Sequence, residues 1–134
     1  MTVAWEVTPY ALELFRITEG MLLGSIMLAA CYLEGGIDQP DLKECMKLVK
    51  PEHFHYEDNA RYYRAIQKCD QPDIIGVIYQ LHGEGNLKQH DNGILRAMCD
   101  STPTEFDLMH YANLVVELWE KRTGKSRRRK GITA

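Results

Sequence analysis

The chain has 134 residues, of which 45% are hydrophobic and 26% charged, so we expect one globular domain with a core of its own. The net charge of −3 is unevenly distributed: residues 121–134 hold seven of the sixteen basic residues and none of the nineteen acidic ones. The first 120 residues therefore carry −10, which argues against nucleic-acid binding by the body of the protein.

Cysteine usage and the apolar pattern indicate a cytoplasmic protein. The four cysteines are widely spaced in apolar stretches without a C-x-x-C pair, so buried free thiols are favoured over disulfides; they are Cys31, Cys45, Cys69 and Cys99. The longest apolar run, residues 20–33, is too short to span a bilayer and predicts a core helix. No basic flank precedes an apolar region at the N-terminus, so we expect no signal peptide and no membrane partner.

The first third of the chain predicts a short arm and two helices. Residues 1–8 carry little pattern, and Pro9 then opens a short helix that ends near Ile17. Thr18 can cap a second helix by accepting an orphan backbone N–H. Residues 21–30 of that second helix are apolar nearly all round, which is typical of a helix at the centre of a bundle.

A proline joint separates the next two helices. The glycine pair at 35–36 ends the central helix, and residues 41–49 place apolar side chains at offsets of three, four and seven. The Lys-Pro pair at 50–51 must end that helix, because proline lacks an N–H and moves the preceding residue out of the helical region. Asp58 can cap the following helix, which we expect to run to about Lys68.

The last third predicts three more helices. Residues 70–72, Asp-Gln-Pro, start one of them; its apolar residues do not alternate as in a strand, and they are Ile74, Ile75, Val77, Ile78 and Leu81. Asp91 can cap a short helix that ends near residues 100–101. Residues 102–105, Thr-Pro-Thr-Glu, are a capping box for a final helix over residues 105–121. The sequence thus predicts an all-α fold, a compact bundle of about six short helices.

No residues stand out as a catalytic or metal site. Gly124-Lys125-Ser126 resembles the end of a phosphate-binding loop, but that motif needs a glycine where Trp119 stands and a preceding strand. The histidines lack the spacing of zinc ligands, so surface or capping roles are favoured; they are His53, His55, His82, His90 and His110. We therefore predict no catalytic residue, no metal ligand and no cofactor.

Two features point to partners. Four consecutive cations could contact nucleic-acid phosphates, although a solvated linker is favoured because no aromatic residues are interleaved; they are Arg127, Arg128, Arg129 and Lys130. Residues 105–121 carry more apolar surface than one stripe needs, which fits either a partner face or a helix buried on both sides. The candidate interface residues are Ile94, Leu95, Met98, Leu108, Tyr111, Leu114, Val115, Leu118 and Trp119.

Several short segments, in order along the chain, carry a family resemblance. They are EGMLLGSIM at 19–27, similar to E-x-x-[VL]-L-G-x-[IL]-L; LVKPEHFH at 48–55, similar to L-x-x-P-E-x-F; NARYYRAI at 59–66, similar to H-x-x-I-F-x-A-I; and shorter matches at 81–87, 92–93, 102–104 and 111–115. Together these segments resemble the N-terminal domain of DnaB-type replicative DNA helicases.

The resemblance covers residues 18–122 and divides the chain into an N-terminal arm at 1–17, the helical domain, and a basic tail or linker start at 123–134. Asn59 and Tyr63 stand where the family usually has His and Phe. The connection between the first two matched helices is also longer than usual. These departures indicate a divergent or phage-like member.

The resemblance implies an all-helical domain without catalysis of its own, which in the family precedes a linker and a RecA-like ATPase domain. Family domains pair through a helical hairpin, form a collar on the hexamer and receive primase; residues 91–100 and 105–121 match that C-terminal helical hairpin. Self-association and docking of primase or a helicase loader are the implied roles, with DNA contacted only weakly through the tail. The helicase-binding domain of a primase and a small DNA-binding accessory protein acting through its tail are the alternatives.

Overall fold

The computed structural model describes residues 8–103 and 107–126, which form six α-helices and two short 3-10 turns. The helices are α1 (Pro9–Tyr32), α2 (Pro40–Leu48), α3 (Glu57–Gln67), α4 (Ile74–Gly83), α5 (Asp91–Ser101) and α6 (Leu108–Thr123). The 3-10 turns are Gly36–Asp38 and Pro51–His53, and the described residues contain no strand. The predicted all-α bundle is confirmed.

α1 is one continuous helix of 24 residues, so the predicted break near Thr18 is wrong. Thr18 and Glu19 are buried in the middle of α1 rather than at a helix end. The side chain that caps α1 is Thr8, whose hydroxyl accepts a hydrogen bond from the Ala11 N–H at 3.1 Å. Thr18 looked like a cap because Ser and Thr favour that position, whereas tertiary packing decides its place here.

The fold is built around α1, which contacts α3, α5 and α6. Its Leu22, Leu23, Ile26 and Met27 are buried in the main core. α2 packs on α6, and α3 packs on α4. The predicted C-terminal hairpin consists of α5 and α6, and each of these helices packs more extensively on α1 than on the other. Both C-terminal helices are therefore arranged around the N-terminal helix.

α1 is the one described helix that is long and apolar enough to cross a membrane by length and composition alone. The apolar run at residues 20–33 is too short to span a bilayer. The helix is longer than that run because it continues through the predicted break and begins at Pro9. The most apolar 18-residue stretch of α1 is 61% buried inside the domain. The core helix of a folded domain can have the same length and composition as a membrane-spanning helix.

α1 and α5 cross at Gly24. A Cβ atom at this position would lie 2.1 Å from the Thr102 hydroxyl oxygen and 2.5 Å from the Met98 carbonyl oxygen, so no other residue fits without moving α5. The Thr102 hydroxyl donates to that Met98 carbonyl at 2.7 Å and therefore closes α5 instead of opening α6. The rest of the predicted capping box, Thr104 and Glu105, lies outside the described residues.

The predicted proline joint between α2 and α3 is confirmed. The turn Pro51–His53 follows α2, and the His53 Nδ1 atom accepts the Lys50 N–H at 2.9 Å. Phe54 is buried against the ring of Tyr63, and the Tyr63 hydroxyl donates to the Val49 carbonyl oxygen at 2.8 Å. The joint thereby holds the end of α2 against α3.

The cap of α3 and the start of α4 also differ from the predictions. Asp58 does not cap α3, which begins at Glu57; its carboxylate accepts from Arg61 instead. α4 begins later than expected, at Ile74, and Asp73 caps it by accepting the Gly76 N–H at 2.8 Å.

All four cysteines are free. Cys45 and Cys69 are buried as predicted and Cys99 is half-buried, but Cys31 is exposed. In the last turn of α1, Ala29 and Ala30 are buried whereas Cys31 and Tyr32 are exposed, so Cys31 lies on the side of the helix that faces away from the core.

Candidate interaction surfaces

The structure divides the nine predicted interface residues between the core and its edge. Leu95, Leu108, Val115 and Leu118 are buried, and Ile94, Met98, Tyr111, Leu114 and Trp119 are half-buried. Leu118 packs with Ala11 and Phe15 of α1 in a small second cluster. Since α6 packs on both α1 and α2, much of its apolar surplus is used inside the domain. Its exposed residues are polar: His110, Asn113, Glu117 and Thr123.

The first exposed apolar surface lies on α1. Tyr10, Leu14 and Ile17 are 87%, 43% and 44% exposed, and their spacing of four and three residues puts them on one side of the helix. Ile17 also lines a groove between α1 and α5, together with Met21 and two predicted interface residues. We call this surface the α1–α5 face: Tyr10, Leu14, Ile17, Met21, Ile94 and Met98.

The second exposed apolar surface lies on the other side of α5. Ile75 and Tyr79, one turn apart on α4, are 79% and 80% exposed, and they line a groove between α4 and α5. A neighbouring cavity shares Ile75 and Arg96 with this groove and extends to Tyr32, which is 71% exposed at the end of α1. We call the combined surface the α4–α5 groove: Tyr32, Ile74, Ile75, Ile78, Tyr79, Leu87, Lys88 and Arg96.

A buried ion pair fixes the start of α5 against α3. The Asp91 carboxylate is fully buried and accepts hydrogen bonds from two Arg61 nitrogens at 2.7 and 2.8 Å. It also accepts from the Tyr62 hydroxyl at 2.7 Å and from the Lys88 N–H at 2.8 Å. Burial alone would raise the pKa of Asp91, but these four donors hold that pKa well below its usual range. α5 begins at Asp91, but the prediction that Asp91 caps it is wrong: the carboxylate accepts from residues outside the helix and from none of its backbone N–H groups.

A second buried carboxylate ties α1 to the proline joint. Glu19 accepts from the backbone N–H groups of His55 and Tyr56 at 2.6 and 3.4 Å and from the Asn59 side-chain amide at 2.8 Å. Burial raises the pKa of Glu19, and these hydrogen bonds oppose the shift only in part. Glu19, the joint and Asn59 belong to three different sequence motifs, so the structure brings the motifs together as one structural cluster.

Neither cluster offers a catalytic arrangement, because each carboxylate is enclosed by donors that hold it in place. Within residues 8–103 and 107–126, no three His, Cys, Asp or Glu side chains are grouped to hold a metal ion. The cationic run Arg127–Lys130 lies outside the part of the chain that the structure describes.

The predicted interface residues include Ile94 and Met98 of the α1–α5 face but no residue of the α4–α5 groove. The periodicity of α4 marks Ile75 and Ile78 as apolar-side residues, but only Val77 and Leu81 of that side are fully buried. The available signal was a surplus: α4 carries more apolar residues than one buried stripe requires.

A family model described as "DnaB-like helicase N terminal domain" matches residues 16–117, which is most of the chain and contains the clusters and both grooves. No curated protein and no solved structure matches the sequence.

Proposed function

Because the chain belongs to the family of DnaB-like helicase N-terminal domains, we propose that it is a non-catalytic interaction and oligomerisation domain of a replicative DNA helicase. In this role it self-associates and docks primase or another replisome partner, such as a helicase loader. Large apolar side chains are exposed in two defined places on the described surface, which supports a role in binding other protein surfaces.

The α1–α5 face is the surface that supports self-association. Tyr10, Leu14 and Ile17 repeat at the four-three spacing with which paired helices form a seam. A two-fold axis would bring the same face of two copies together, so each copy would supply both the protruding residues and the groove. Of the predicted interface residues, Ile94 and Met98 would contact the partner copy directly, because they line that groove.

Sedimentation equilibrium of the wild type and a Leu14→Glu variant tests this proposal. Leu14 is 43% exposed in one copy, so dimerisation would bury roughly half of its side chain, which is about 1 kcal/mol in each copy and about 2 kcal/mol per dimer; losing this weakens the dimer by roughly thirtyfold. The variant keeps its fold, checked by circular dichroism, because Leu14 is already partly exposed. Ile75→Glu, on the α4–α5 groove, is the matched control and leaves the dimer intact. A wild-type chain that is strictly monomeric at high concentration in native mass spectrometry would contradict the proposal.

The tail alternative has its own test. Labelled DNA is titrated with the chain and with a form lacking residues 123–134. We expect weak binding that differs little between the two. Tight, salt-sensitive binding that disappears with the tail would instead favour a DNA-binding accessory protein.

A further inference from the structure

We infer that the α4–α5 groove is the docking site for an amphipathic helix of a partner protein, with acidic residues beside its apolar stripe. The inference rests on the proposed function, because it gives the chemistry of the partner that such a domain would dock. It concerns a surface separate from the α1–α5 face: Arg96 and Asn92 of α5 line this groove, whereas Ile94 and Met98 line the other.

The apolar part of the groove is suited to a helix. Ile75 and Tyr79 stand one turn apart along one wall, almost fully in solvent, and Leu87 lies at one end. α4 has ten residues and is about 15 Å long, so the groove accommodates roughly three turns of a second helix. Helices that bind in grooves use apolar anchors at such one-turn spacings.

The charges in the groove select an acidic partner. Among the residues that line it between α4 and α5, Lys88 and Arg96 are cationic and none is acidic. This is unusual in a chain whose first 120 residues carry −10. The Lys88 Nζ atom lies 3.5 Å from the Asp58 Oδ1 atom. The exposed Arg96, in contrast, makes no ion pair within the described residues. A carboxylate of the partner would therefore find a cation, Arg96, in the lining of the groove that also contains Ile75 and Tyr79.

The charges also orient the partner. Asp73 and Asp100 line the neighbouring cavity near Tyr32, and Asp73 already accepts the Gly76 N–H. Acidic residues of the bound helix are thus favoured in the part of the groove between Lys88 and Arg96, and disfavoured beyond Arg96 at the Tyr32 end. A second copy of this chain is a poorer occupant, because the exposed apolar stripe of α1 carries one acid, Glu13, which is paired with Arg16.

Fluorescence anisotropy with two designed peptides tests the inference. Both are labelled helices of about 14 residues with leucines at i, i+4 and i+7. One has glutamates beside the leucines, and the other has lysines at the same positions. We expect the full chain to bind the glutamate peptide about tenfold more tightly than the lysine peptide, with added salt reducing the difference.

Variants of the full chain locate the binding. Arg96→Glu and Ile75→Glu should each weaken the glutamate peptide by about tenfold or more, while Leu14→Glu binds it like the wild type. Arg96 and Ile75 are exposed, so both variants are expected to fold, which circular dichroism checks. Equal binding of the two peptides, no binding of either, or insensitivity to Arg96→Glu overturns the inference.

Sedimentation of the same samples separates this inference from the proposed function. Loss of self-association in Ile75→Glu would identify a second copy as the occupant of the groove and would overturn the acidic-partner inference. A monomeric wild type that still binds the glutamate peptide would contradict self-association and leave the groove assignment supported.

Discussion

Replacing Asp91 by alanine should destabilise the domain strongly. The change removes the acceptor of four hydrogen bonds and leaves Arg61, whose side chain is only 12% exposed, without its buried counter-ion. Breaking a buried pair by removing one partner costs about 3–5 kcal/mol, and Arg61 keeps only Asp58 and the Asn86 carbonyl. For a domain of this size the melting temperature should fall by roughly 10–20 °C.

Urea denaturation followed by circular dichroism at pH 7 measures this cost. The double variant Arg61→Met with Asp91→Leu is the control, because an apolar pair leaves no unpaired buried charge. It should be less destabilised than Asp91→Ala. A cost below about 1 kcal/mol for Asp91→Ala would contradict a stabilising buried pair, since an ion pair on the surface contributes that little.

The same pair should control stability in acid. Because the pKa of Asp91 is lowered on folding, its contribution is complete above the unfolded pKa of about 3.9 and is lost as the pH falls below it. The stability difference between the wild type and Asp91→Ala should therefore be constant from pH 7 to about pH 5 and narrow below about pH 4. A difference that does not narrow in acid would contradict the lowered pKa.

Three further substitutions test particular contacts. Gly24→Ala should cost about 1–3 kcal/mol in urea denaturation because its Cβ would meet α5, whereas Gly93→Ala, in open space on an exposed turn of α5, should be neutral or stabilising. Tyr63→Phe should cost about 1 kcal/mol by leaving the Val49 carbonyl without its hydroxyl donor, and an unchanged stability would show that water replaces it. The pH dependence expected for Glu19 is opposite to that for Asp91. Because the pKa of Glu19 is raised on folding, the stability that Glu19 contributes is present below the unfolded pKa of 4.5 and is lost as the pH rises through the folded value. Glu19→Gln should remove that loss, and an unaltered pH profile above pH 4.5 would contradict the raised pKa.

Local patterns in the sequence predict the helices well but identify the partners of polar side chains poorly. The proline joint and the glycine pair before α2 depend on backbone rules that act within a few residues, and the structure agrees with them. The predicted caps that the structure contradicts have the residue types of helix caps, but tertiary contacts decide their roles; they are Thr18, Asp58, Asp91 and Thr102.

The exposed surfaces could not be located from the sequence for a related reason. Periodicity shows that α1 and α4 have apolar residues on more than one side, but not which side the rest of the chain covers. In α1 the crossing of α5 at Gly24 covers the middle of the helix and leaves Leu14 and Ile17 exposed. Which side of a helix is covered depends on the packing of helices that are far apart in the sequence. The burial of Leu108 and Val115 in α6 depends on the same packing.

Photo-cross-linking from position 14 tests directly whether two copies of the chain associate through the α1–α5 face. A photoreactive amino acid in place of Leu14 reports which residues of a second molecule lie against the α1–α5 face. We expect a covalent dimer whose cross-linked peptides come from α1 and α5 of the second copy, and we expect this dimer to be lost when Ile17→Glu is added. Absence of the dimer at high protein concentration, or cross-links that map to α4, would contradict self-association through this face.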